Sequence, residues 1–316
     1  MKRKGLLFLA GGIVLVLAAA AALFYFRSPV LVVSDDPFTL IYGKQRILIQ
    51  EILAMARTGR RVEQVIISDS AGPDILILAL EKASKKPWRV IFPYRYEDAA
   101  KRYHEQFPGI ACIVLYGRAL SEQDKQAIME KPGTESALYE FFTDTSLDLY
   151  RAGRFASVIA GSKTGNIPVF INKLYFSTGK DAFAKGFGAA PDGLKISFYD
   201  SYSQLGVSGD FPVVALAGSG MEYLDKNPRA PLILFTWLAP SETSHETYII
   251  MDDSVWAQFG QAMKMVKNGV ASGFIPSKPL IFSSRIADNV ILRQLRKAAG
   301  SGMEQDPAQV PDQAQP

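Results

Sequence analysis

The sequence predicts an α/β protein built as two doubly wound parallel-sheet lobes joined by a hinge, behind an N-terminal transmembrane helix. Three observations predict it. Beyond residue 29, short runs of continuously apolar residues alternate with amphipathic stretches, as when both faces of a parallel sheet are covered by helices. The strand candidates number about ten, where one open sheet usually holds about five or six, so two sheets are the economical solution. The chain also opens with an apolar run long enough to cross a bilayer.

That run comes first in the chain. Met1-Lys2-Arg3-Lys4 precedes an unbroken apolar stretch over 5–26, followed by Arg27-Ser28-Pro29. About 20 such residues span the hydrocarbon core as a helix, whereas a cleaved signal's apolar region runs only about 7–15. The reading is a retained anchor, with the cationic end in the cytoplasm and everything after Arg27 exported. The small residues of 18–22 keep a cleaved, soluble periplasmic form open. No cysteine follows the run closely enough to carry a lipid anchor.

The rest follows in order. Strands are expected over 30–33, 65–68, 88–92, 111–115 and 139–143, separated by helices over 38–56, 74–84, 97–107 and 121–129. A Lys131-Pro132-Gly133 break precedes the fifth strand, and a helix over 146–160 follows it. The rhythm then repeats with strands over 168–172, 195–199, 213–217, 232–236 and 247–251 and helices over 181–188, 221–225 and 254–267. A last strand is expected over 279–282, and the Pro-, Gln- and Asp-rich tail 301–316 has no periodicity and reads as disordered. Residues 1–28 are expected as anchor or signal, and the first crossing between two lobes is expected near Asp144-Thr145-Ser146.

Composition narrows the function classes. The formal charge of +4 is matched by Lys2, Arg3, Lys4 and Arg27, so the body is close to neutral and lacks the basic face that nucleic acid requires. The single cysteine, Cys112, sits in an apolar run and reads as a buried strand residue. Only two histidines occur, with no Cys/His cluster, so neither a metal nor another cofactor is expected.

In open α/β sheets, ligands bind at the carboxyl ends of the strands. In the first half those ends carry Asp35, Asp36 and Phe38, then Asp69 and Ser70, then Tyr94 and Arg95, then Asp144. In the second half they carry Tyr175 and Ser177, Asp200 and Tyr202, Ser219, Trp237 and Asp252. Together they suit a small polar ligand, with rings covering its faces and Asp, Ser and Arg fixing its edges. Each has a structural alternative. Asp and Ser after a strand serve as helix N-caps, Tyr202 and Trp237 can be packing residues, and Arg95 can pair with Asp69 or Asp98.

Enzymatic signatures are weak. Gly161-Ser162-Lys163-Thr164-Gly165 lacks Gly-Lys adjacency after a strand, and Gly218-Ser219-Gly220 lacks the spacing of a nucleophile elbow. Asp35 with Asp36, and Asp252 with Asp253, are neighbours in sequence that need not share a proton. No enzyme is expected.

These residues resemble type I periplasmic binding proteins, including the basic-membrane-protein and sugar-binding branches. Asp35-Asp36-Pro37-Phe38 is similar to that family's strand-one loop, where an aromatic lies against the ligand. Phe92-Pro93-Tyr94-Arg95 stands where sugar binders carry Asp-Arg, with Tyr94 replacing the acid. The run from Phe142 to Gly153 resembles the crossing between lobes, and Phe183-Ala184-Lys185-Gly186-Phe187 resembles an Arg-x-x-Gly-Phe helix without its arginine. Ala215-Leu216-Ala217-Gly218-Ser219-Gly220 and Trp237 resemble the nucleoside-binding branch. The resemblance implies a chain that threads the hinge three times, with 29–144 and about 252–272 as lobe 1 and 145–251 and about 273–300 as lobe 2. It also implies a protein that captures a nucleoside, sugar or similar solute by hinge closure, for a membrane permease or sensor. The competing expectation is an ectodomain that keeps the fold without a ligand and binds a partner; a hydrolase ranks last.

Overall fold

The computed structural model describes residues 24–117, 121–130, 137–206, 209–226, 229–236, 244 and 246–300. The expected membrane segment, apart from residues 24–26, the Lys-Pro-Gly break, Trp237 and the tail lie outside the described residues. Among the described residues, no helix is long and apolar enough to cross a membrane.

The described chain forms two compact α/β units. The first takes its residues from 1–117, 129–142 and 255–275, and the second from 118–128, 143–254 and 276–316. The chain therefore passes between them after Phe142, Ser254 and Ile275, with a short excursion around 118–128.

The first unit contains β1 (Val30–Asp35), α1 (Asp36–Tyr42), α2 (Lys44–Thr58), β2 (Val62–Ile67), α3 (Pro73–Ala83), β3 (Arg89–Pro93), α4 (Glu97–Gln106), β4 (Ala111–Tyr116) and β5 (Leu138–Thr143). The helix expected over 38–56 is split because Gly43 adopts φ 88°, a left-handed conformation that interrupts the helical ladder. Strand order is β5-β4-β3-β1-β2, all parallel, with a strand from later in the chain, Ser272–Ile275, beside β5. The entering chain is pinned at the start of β1. Arg60 donates to the Ser28 carbonyl at 3.0 Å while its guanidinium lies 4.3 Å over the Trp88 ring, and Trp88 N–H donates to the Pro29 carbonyl at 2.7 Å.

The second unit contains α5 (Glu122–Met129), whose described side chains include the buried Lys125, and α6 (Thr145–Ala160). It continues through β6 (Gly165–Ile171), α7 (Phe176–Phe187), β7 (Leu194–Tyr199), β8 (Val214–Ala217), β9 (Leu232–Leu234) and β10 (Thr247–Asp252). α8 (Val255–Lys267) and β11 (Ser272–Ile275) return to the first unit. β12 (Lys278–Ile281) and α9 (Asn289–Gly300) complete the second. Its sheet order, β12-β10-β9-β8-β6-β7, repeats the winding of the first, with β12 an antiparallel edge.

Alternation along the second sheet feeds two cores. Ala215 and Ala217 of β8 join Leu149, Phe155, Phe183 and Leu295 on the side of α6, α7 and α9, while Val214 and Leu216 join Phe170, Tyr223 and Ile250 on the other. This is the continuous apolar strand pattern expected of a covered sheet. The segment 221–225, expected as a helix, is a 3-10 turn over Met221–Lys226, and α7 starts at Phe176, earlier than the expected 181.

Candidate functional site

In the first unit, three strands neighbouring in space deliver polar side chains to one end of the sheet. The order β3-β1-β2 places Asp35 between the segments that carry Arg95 and Asp69. Arg95, in the 3-10 turn Tyr94–Tyr96 after β3, forms an ion pair with Asp69 and also donates to the Asp69 carbonyl at 2.9 Å. Its hydrogen bond to Asp69 raises its already high pKa. Both side chains are about half exposed, 51% and 49%.

Asp35 caps α1 by accepting the Phe38 N–H at 2.8 Å, and its other oxygen faces the Tyr96 hydroxyl at 3.4 Å. Desolvation, then the neighbouring Asp35 carboxylate, push the Tyr96 phenol up to about 12. Phe38 stacks on Tyr42 at 4.9 Å. Asp36 is exposed in the first turn of α1, and Ser70 is exposed with its hydroxyl 3.2 Å from that of Ser68.

Tyr94 is the exposed member of an aromatic row. Its ring lies 6.2 Å from Tyr116, which stacks at 4.8 Å on Phe142. Tyr116 ends β4, the one parallel strand of this sheet whose carboxyl end contributes no candidate from sequence. It is buried and donates to Glu140 Oε1 at 2.8 Å; burial first, then that bond, raise its phenol far above the ordinary range.

The second unit presents its own set. Asp200, after β7, accepts from Gln204 Nε2 at 2.7 Å, and its carbonyl accepts the Ser219 hydroxyl at 2.5 Å. Lys173 reaches Asp200 at 3.8 Å, and Asn172 donates to the Gly218 carbonyl at 3.2 Å. Neither Asn172 nor Lys173 is among the candidates from sequence. The apolar pattern extends the strand through Asn172, but β6 stops at Ile171 and Asn172 begins the turn. Gly218 and Gly220 both have positive φ, and a Cβ on either would strike Tyr175 or Phe170. Glycine on both sides is therefore what holds Ser219 toward Asp200.

Other candidates are engaged in packing. Tyr175 is buried and donates to the Ala217 carbonyl at 2.8 Å, and Tyr202 packs 6.2 Å from Phe170 and 6.5 Å from Tyr223. Asp144 caps α6 through the Leu147 N–H at 2.9 Å, and buried Asp252 accepts the Ser254 N–H at 3.0 Å. Ser177 is exposed in the first turn of α7. Trp237 lies outside the described residues.

Where the chain crosses between units, the second unit gathers buried polar groups. Asp148 accepts the Ser277 N–H at 2.9 Å, Arg151 donates to the Ser277 carbonyl at 3.5 Å, and Lys125 donates to the Thr145 hydroxyl at 3.2 Å. Among the described residues, no cluster of three His, Cys, Asp or Glu side chains could hold a metal ion.

No protein-family model matches the chain, and no curated protein matches it in sequence. Solved structures do resemble it. A transcriptional activator of the comK gene from Bacillus halodurans superposes with a TM-score of 0.55 at 11% identity, over 88% of this chain and 98% of that one. An ABC transporter system solute-binding protein from Conexibacter woesei DSM 14684 does so with a TM-score of 0.55 at 12% identity, over 89% and 99%. At such identities the likeness is one of fold. The chain shares the two-unit α/β fold of these two structures.

Proposed function

We propose that this chain is a membrane-tethered, extracytoplasmic solute-binding protein that captures a small polar ligand with the strand-end loops of its two lobes. The observation that carries the reading is the polar arch over β2, β1 and β3, where exposed Arg95 and Asp69 stand beside Asp35 and the exposed ring of Tyr94. A guanidinium and carboxylates at one sheet end fix ligand hydroxyl or carboxylate groups, and a ring covers an apolar face. Asp200, Ser219, Asn172 and Lys173 supply a second polar set from the other lobe.

Ligand contact with both lobes shifts the population toward a closed form, read by a transporter permease or sensor in the same membrane. The apolar segment over 5–26 holds the protein near that partner and raises its effective concentration. The solved structure described as a solute-binding protein supports the reading through its fold alone.

A second reading has its own support. Arg95 is satisfied by Asp69, and Tyr175, Asp144 and Asp252 are engaged in internal hydrogen bonds. An ectodomain that kept the fold while binding a protein partner would show such internal pairing. Thermal unfolding of the full chain against separate panels of nucleosides, sugars and amino acids tests the choice. One compound class raising the midpoint in a dose-dependent way supports solute capture; no shift from any panel favours the partner-binding ectodomain.

A further inference from the structure

Three stretches distant in sequence meet at the amino edge of the first sheet, where β1, β2 and β3 begin side by side and Val30 pairs with both Val62 and Arg89. They are 25–29, 59–63 and 84–89, and they hold six Lys and Arg residues against one carboxylate. Contacts tie them into one surface. Arg27 donates to the Gly59 carbonyl at 3.4 Å, and the Arg61 guanidinium lies 4.8 Å over the Tyr25 ring, which meets Phe26 edge-on at 5.8 Å. Arg60, which donates to the Ser28 carbonyl, and Arg89 both lie over the Trp88 ring, at 4.3 and 4.1 Å.

Arg61 pairs with the lone acid, Glu63, at 2.8 Å. Among the described residues, Arg27, Arg60, Lys85, Lys86 and Arg89 form no ion pair. Burial lowers the Arg89 pKa, Tyr139 opposes that, and the like charge of Arg60 adds to it. The near-neutral balance of the sequence hid this basic face, because its cations gather only on folding and the acids collect elsewhere. The opposite, carboxyl edge carries Asp35, Asp36, Asp69 and Asp74.

What lies beside the basic face follows from where the apolar segment over 5–26 ends. Phe26 is four residues from Val30, a reach of at most roughly 14 Å when fully extended. Arg27, the Ser28 carbonyl and the Pro29 carbonyl are each hydrogen-bonded to the first unit, so no free linker intervenes.

We propose that the amino edge of the first unit docks on the anionic lipid surface of the membrane that holds segment 5–26, turning the polar arch at the carboxyl edge away from the bilayer. This rests on the tethered reading above. Tyr25 and Phe26 are exposed and Trp88 is half-buried, and such rings settle at the membrane–water interface. Cations within a Debye length of ~10 Å are drawn to anionic headgroups, while their stems cover apolar surface. An acidic partner protein is the less suited occupant, because it would have to enter between this face and a bilayer so close by.

The test uses the full chain in nanodiscs of phosphatidylcholine, alone or mixed equally with phosphatidylglycerol. A fluorescent thiol label is placed at one end of α3 by Ala83→Cys, beside the basic face, or at the other by Asp74→Cys, about 13 Å away along the helix. Cys112 is buried and stays unlabelled. Quenching by a lipid with a headgroup nitroxide is the readout. In the mixed bilayer the Ala83→Cys label should be quenched about threefold or more over the Asp74→Cys label. That excess should fall about twofold or more when Lys85→Glu and Lys86→Glu are introduced together, or when the anionic lipid is omitted. Both lysines are exposed, and circular dichroism checks that the fold is kept. Equal quenching of the two labels in a chain that resists carbonate extraction from membranes overturns the docking alone and leaves the face to an acidic protein partner. An excess indifferent to both charge changes also overturns it. Release of the chain by carbonate overturns the tethered reading, and the docking with it.

Discussion

Gly153 of α6 and Gly186 of α7 allow the two helices to approach until backbone meets backbone. A Cβ on Gly153 would overlap the Phe183 carbonyl, and one on Gly186 would overlap the Tyr150 carbonyl. This contact brings Phe183 and Phe187 into the larger core of the second unit, beside Leu149 and Phe155.

Gly186→Ala should therefore destabilise the protein by roughly 1–3 kcal/mol through overpacking. In urea unfolding, the control Lys185→Ala, one residue away and outside the buried core, should change little. Equal stability of Gly186→Ala and wild type would contradict the close approach.

Asp148 is fully buried and accepts the Ser277 N–H where the chain re-enters the second unit. Asp148→Ala leaves that buried donor without its acceptor and should cost about 1–3 kcal/mol. Asp148→Asn keeps an acceptor and should cost less. Thermal midpoints of the two variants check the order.

Burial pushes the Cys112 thiol up to about 12 and the Tyr96 phenol to about 12, from ordinary values of 9.0 and 10.0. The unfolded chain loses these protons first, so stability is full below about pH 9 and falls as pH rises toward 12. Chemical denaturation at stepped alkaline pH should show that fall. Cys112 should also resist maleimide at pH 8 until denaturant is added; rapid labelling of the native protein would contradict its burial.

Much of the fold was legible because parallel strands covered on both faces are continuously apolar. The runs around Val32, Ile91, Val114 and Val169 mark β1, β3, β4 and β6 without ambiguity. β11 was missed because Ser272-Gly273-Phe274-Ile275 is short and only its glycine and Ile275 are buried. The break at Gly43 was missed because glycine also occurs within helices, as Gly153 and Gly186 do, and only φ separates the cases. α9 was unassigned, although Val290, Ile291 and Leu295 lie at helical spacing.

The strand-end rule named the residues of the first unit's arch, since it needs only strand positions. It could not tell Tyr175, whose hydroxyl turns inward to Ala217, from Tyr94, whose ring stays exposed; side-chain direction depends on the packed neighbours. Asn172 was lost to a strand boundary misplaced by one residue.

Arg95→Ala and Asp69→Asn should leave stability within about 1 kcal/mol of wild type, because exposed ion pairs contribute little. Each should weaken solute binding at least tenfold in calorimetry. Unaltered affinity in both would remove the arch from the site.

Solute capture is decided by native mass spectrometry of the full chain released from mild detergent. The expected spectrum shows a reproducible small-molecule adduct that is lost on denaturation and diminished in Arg95→Ala. A spectrum without adduct, unshifted by nucleosides, sugars and amino acids alike, would contradict it.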